Sequence, residues 1–65
     1  MVEGRVTGFD GERGLGEVTT ADGTTYPFHC VEIADGTRDI DVGTEVAFEL
    51  MAKLGRDEAR SIRPR

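Results

Sequence analysis

The chain has 65 residues and a formal net charge of −5, with thirteen acids against eight bases. That length allows a single domain, one that hides only about 60% of the surface its unfolded chain exposes, so its stability margin is thin. The only cysteine, Cys30, excludes an internal disulfide, and together with the only histidine, His29, it falls short of the four ligands of a structural zinc site. The first strand is predicted over residues 2–9, where Gly4 and Val6 share one face and Arg5 and Thr7 the other. Asp10-Gly11 marks a turn, and a second strand follows over residues 15–20, with Gly16 and Val18 on one side and Leu15, Glu17 and Thr19 on the other. Asp22-Gly23 sets a hairpin into a third strand over residues 25–29. From Cys30 to Gly43 one short apolar turn, Val31 to Ile33, precedes an acidic loop with a third Asp-Gly, Asp35-Gly36. A fourth strand is predicted over residues 44–51, with Val46, Phe48 and Leu50 inward and Glu45, Ala47 and Glu49 outward. Residues 51–54 have some helical character but are cut off by Gly55, and a fifth strand over residues 59–63 brings Ile62 to the core. Five short strands in so few residues predict an all-β fold, a small closed barrel of OB or SH3 type.

Charge is unevenly placed. Residues 1–50 carry Arg5, Arg13 and Arg38 against eleven acids, a net of −8, while residues 51–65 carry five bases against Asp57 and Glu58, a net of +3. An acidic body repels phosphate, and the basic end is either a local phosphate-facing patch or a solvated counterweight. No apolar leader is evident, since Glu3 and Arg5 interrupt the start, and the apolar run at 46–52 is broken by Glu49 and too short to span a bilayer. The expectation is a reduced, cytoplasmic, monomeric protein without cofactor or metal. Catalysis has no foothold: the carboxylates follow outward-facing alternation, His29 has no nucleophile or metal set beside it, and Gly14-Leu15-Gly16 lacks the Lys and the helix of a phosphate loop. The acids near Cys30 argue against a reactive thiol.

The stretch from Val2 to Gly16, VEGRVTGFDGERGLG, resembles the opening of bacterial cold-shock domains. The likeness continues through Phe28-His29, Ile33 and Asp35-Gly36, through Gly43-Thr44-Glu45-Val46-Ala47-Phe48-Glu49-Leu50, and to the closing residues 59–62. The resemblance covers almost the whole chain and implies a five-stranded OB-type barrel that binds single-stranded RNA or DNA on a face of aromatic rings. At the matching positions this chain has Gly8 for a tryptophan, Leu15 and Glu17 for the phenylalanines of the first binding motif, and Pro27 and Cys30 for those flanking the second; a further loop phenylalanine is missing near Thr37. Phe9 and His29 are the rings left to stack, while Phe28 and Tyr26 occupy positions that the family gives to inward aliphatic residues. The resemblance places Arg5 and Arg13 at basic positions.

Two functions follow from this reading. The first is weak binding of single-stranded nucleic acid through Arg5, Phe9, Arg13, Leu15, His29 and Arg60, marked by a positive stripe that links Arg5, Arg13, Arg60 and Arg63. The second is a protein-interaction module on the same type of barrel, with Leu15, Pro27 and Cys30 as its contact, marked by Glu17 within apolar surface and by scattered arginines. Each candidate also has a plain structural reading. Phe9 is then a partly buried barrel residue, His29 a surface imidazole beside a carboxylate, Arg13 a loop arginine paired with Glu12 or Asp10, and Arg5 one half of a cross-strand ion pair.

Overall fold

The computed structural model describes residues 2–34, 36, 39–53 and 55–65, with Lys53 and Arg56 described by their backbone only. The described residues form an all-β protein of five strands: β1 (Val2–Asp10), β2 (Leu15–Thr20), β3 (Thr25–His29), β4 (Glu45–Lys53) and β5 (Arg56–Pro64). They build one antiparallel sheet in the order β3-β2-β1-β4-β5. The second and third strands have the predicted limits. The fourth and fifth run further toward each other than expected, because residues 51–53, read as weakly helical, continue β4 and pair back onto β5 as far as Lys53–Arg56. Gly55 makes that tight reversal with φ +82, a conformation that any side chain would strain. Of the third Asp-Gly turn, Asp35 lies outside the described residues, as do Thr37 and Arg38.

Side-chain chemistry explains the first two turns. Asp10 Oδ1 accepts from the backbone N–H groups of Glu12 and Arg13 at 3.1 and 3.3 Å, and the left-handed position falls on Gly14, φ +68, rather than on Gly11. In the β2–β3 hairpin the Asp22 carboxylate accepts from Thr20 Oγ1 and from the Thr24 N–H, with Gly23 at φ +88. The hydrogen bond from the Thr20 hydroxyl and that from the Thr24 backbone hold the Asp22 pKa below its ordinary 3.8. A depressed carboxylate pKa contributes stability above the ordinary value and loses it as the pH falls through the lower, folded-state value. An NMR titration is therefore expected to give Asp22 a carboxyl midpoint below 3.8, with the Thr24 amide following the same curve. A midpoint at or above 3.8 would remove the turn bond from the hairpin's account.

The core lies on the inner face of the curled sheet. Val6, Val18, Phe28, Val46, Phe48, Ala59 and Ile62 are buried there, joined by Ile33 and Ile40 from the connection between β3 and β4. Two bulges decide which residues reach it. Between Val6 and Gly8 β1 carries one extra residue against β2, so Gly8 faces outward opposite Glu17 and Phe9 turns inward opposite buried Gly16. In β5 the extra residue falls near Ser61, whose φ of 51 is the only left-handed value outside glycine among the described residues. Ala59 and Ile62, three apart, are thus both fully buried. The inward placement of Leu50 needs correction. It pairs with buried Ala59, yet it is 39% exposed, because the β1–β4 ladder ends at Val2–Phe48 and β1 does not cover it.

The ladders leave β3 and β5 as the edges of an open sheet, with no backbone ladder between them. Both edges are nonetheless protected. Pro27 deprives β3 of one donor, and the 3-10 turn Cys30–Glu32 with its exit caps β5. The Ala34 N–H donates to the Ile62 carbonyl at 2.8 Å, and the Ser61 N–H to Glu32 Oε1 at 3.4 Å. No helix among the described residues is long and apolar enough to cross a membrane.

Candidate functional site

The outward face of β1–β3 is built by cross-strand register. Leu15 pairs with His29, Glu17 lies between Gly8 and Pro27, and Thr19 lies between Arg5 and Thr25. One end of this face is an open cleft of about 540 Å³ that contains Phe9, Arg13, Leu15 and His29, four of the six residues expected to bind. Its floor is apolar, from Leu15, Pro27 and the Phe9 ring, which stacks on Phe28 at 6.1 Å between centroids and 13° between planes. That stacking uses one face of Phe9, which is half-buried. The exposed surfaces for a flat ligand are therefore Leu15, 41% exposed, and the outward imidazole of His29.

Carboxylates surround this floor. Asp10 engages Arg13, Oδ2 to Nε at 3.7 Å, and both groups are well exposed, so the pair is screened and weak. His29 Nε2 lies 3.8 Å from Oε1 of Glu58, linking β3 to β5 across the open side of the sheet. Glu58 is the buried charged residue among those described, at 7% exposure. The third carboxylate, Glu17, is exposed and has no hydrogen-bond or ion-pair partner for its side chain among the described residues.

Beyond Glu17 the face turns polar. Thr7, Thr19 and Thr25 form a row of hydroxyls across three strands, with Oγ1–Oγ1 distances of 2.9 and 3.0 Å. Arg5 lines a separate cleft of about 410 Å³ with Thr7, Thr19, Glu3, Glu45 and Arg65, at the far end from Phe9 and His29. Arg65 is engaged there by Glu3 at 3.4 Å. Arg60 sits on β5 opposite Glu49, at 3.9 Å, and lines neither cleft. The arginines are dispersed rather than aligned. Cys30 is also displaced from the expected contact with Leu15 and Pro27: its N–H donates to the Gly14 carbonyl at 2.7 Å, and its side chain packs against the core. A Cβ on Gly14 would stand 2.8 Å from the Cys30 sulfur, so this glycine is required on both steric and conformational grounds.

Sequence reasoning missed Glu58, which reads as an ordinary hairpin acid beside Asp57, and it missed the threonine row, whose alignment depends on register across β1, β2 and β3. Among the described residues no group of three or more His, Cys, Asp or Glu side chains is arranged to hold a metal ion. The chain matches no protein-family model and no curated protein sequence.

Proposed function

We propose that this chain is a cold-shock-type module, a five-stranded barrel of OB type, that binds single-stranded RNA or DNA weakly at one end of its β1–β3 face. The observation that carries the reading is that Phe9, Arg13, Leu15 and His29, separated in sequence, share one open cleft with an apolar floor. Bases stack on such a floor without regard to strand polarity or much sequence, because every base has a flat apolar face. Phosphate plays a small part: Arg13 is the cation exposed at the rim, and Asp10, Glu17 and Glu58 oppose the backbone. This sets the binding apart from ordinary electrostatic capture. The slope of log affinity against log salt is expected near −0.7, about that of one phosphate contact on a single strand.

An NMR titration of labelled protein with a short pyrimidine-rich strand, repeated over a range of salt, tests the reading. Saturable shifts at Phe9, Arg13, Leu15 and His29 with a shallow salt slope are expected. A steep slope, or shifts centred on Arg5 and Arg60, would place the ligand elsewhere.

A second reading is supported by its own observation. Glu17 stands between Gly8 and Pro27 beside Leu15, and the arginines are dispersed, which is the pattern of a face that meets a polypeptide. A flat titration with nucleic acid at millimolar strand would favour it.

A further inference from the structure

We infer that Glu17 makes this face selective for guanine within a single strand. The inference rests on the nucleic-acid reading of the same cleft. Three carboxylates line the cleft, and two are engaged, Asp10 by Arg13 and by two backbone N–H groups, Glu58 by His29. Glu17 alone of the three has no partner for its side chain among the described residues. Its two register partners supply none, since Gly8 has no side chain and Pro27 has neither a polar side chain nor an N–H. Its position suits a partner supplied by the ligand. Along β2 the outward residues are Leu15, then Glu17, two strand rises or roughly 7 Å on. A base lying on Leu15 and its register partner His29 presents an edge to the Glu17 carboxylate.

The chemistry of that edge selects the base. An ionised carboxylate only accepts hydrogen bonds, and it has two oxygens to satisfy. Guanine offers two adjacent donors on its Watson–Crick edge, the N1–H and the 2-amino group. Adenine and cytosine each offer an amino group beside a ring acceptor, and uracil and thymine an N–H between two carbonyls, so each places a repelling lone pair against one carboxylate oxygen. Beside Glu17, the Thr7, Thr19 and Thr25 hydroxyls are linked to one another at 2.9 and 3.0 Å, and either hydroxyl of each pair can be the donor, so this row can meet donors and acceptors alike.

The test uses three RNA pentamers, uridine throughout except for a central guanosine, inosine or uridine, titrated into labelled wild-type protein and into Glu17→Gln. For the wild type we expect the guanosine strand to bind roughly tenfold tighter than the uridine strand, the gain of one bidentate pair. Inosine, which lacks the 2-amino group, should fall between them. In Glu17→Gln the guanosine preference should drop below about twofold, while the uridine strand binds as well or better because a repelling charge is gone. The amide spectrum of Glu17→Gln shows directly whether the fold is kept, and Glu17→Asp, which keeps the charge on a shorter arm, should retain a reduced preference. Equal wild-type affinity for the three strands, with saturable shifts in the cleft, overturns the selectivity and leaves the binding site standing. No saturable shift with any strand overturns both, and a response to a lysine-rich peptide instead would give the face to a polypeptide.

Discussion

Replacing Phe28 by alanine is expected to remove about a third or more of the chain's stability and to lower its melting temperature by at least about 12 °C. Phe28 is 1% exposed, sits on β3 opposite Gly16, and supports the Phe9 ring from below. Truncating a buried phenylalanine costs about 3–5 kcal/mol, and a domain of this size has a total stability of only about 3–10 kcal/mol. Each kcal/mol moves the melting temperature of a small domain by roughly 4–8 °C, so a fall of at least about 12 °C should appear in a thermal melt followed by far-UV circular dichroism. A change of only a few degrees would mean that Phe28 is not part of the core. Phe28→Leu, closer in volume, should cost less and leave a folded protein whose Phe9 lacks its stacking partner. That variant separates the two roles of the ring: the fold survives, and the base-stacking end of the face weakens.

Gly16→Ala is expected to have the next largest effect, and for a reason invisible in most glycine substitutions. Gly16 has ordinary strand geometry, so conformational freedom is not at issue. The obstacle is space. A Cβ at this position would stand 2.7 Å from Cε1 of Phe28, nearer still to its Cζ, and 3.0 Å from the Gly8 carbonyl oxygen. Phe28 cannot swing away, because it is buried and Phe9 is stacked against it. Overpacking of this kind costs about 1–3 kcal/mol, or roughly 4–24 °C in melting temperature for a chain of this size. Gly11→Ala is the control: its Cβ would meet nothing closer than Phe9 Cε2 at 3.7 Å and its φ is not left-handed, so stability should be unchanged or slightly higher. The steric account also predicts coupling. Gly16→Ala combined with Phe28→Leu should destabilise by less than the sum of the two single changes, because the shorter side chain vacates the space that the new methyl needs. Strict additivity would show that the methyl meets something else.

Much of the fold was legible in the chain because its signals are local. Alternation along β2 set Gly16 and Val18 on one side and Leu15, Glu17 and Thr19 on the other, and the structure keeps that division with Gly16 and Val18 buried. Asp22-Gly23 specified a hairpin because its carboxylate bonds the residues on either side of it. The site was less legible. Arg13 with Asp10 and His29 with a carboxylate were anticipated as pairs, the first from proximity in sequence. That the partner of His29 is Glu58, from the far edge of the sheet, needed the curvature that brings β3 toward β5. Phe9 shows the same limit. Simple alternation from Val6 would turn it outward, and the bulge before Gly8 turns it onto Phe28.

By itself, then, the sequence determined the strand count, the first two turns, the two-sided pattern of β2 and the acidic character of the body, since each depends on residues within a few positions of one another. Tertiary structure alone decided that Arg5 and Arg60 are absent from the cleft that Phe9, Arg13, Leu15 and His29 share, that Glu17 stands there without a side-chain partner among the described residues, and that Leu50 is left uncovered. The physical reason is register. A single extra residue in a strand reverses the face of every residue after it, and where a ladder stops decides which side chain goes uncovered. Neither is encoded in the composition of the strand on which it acts.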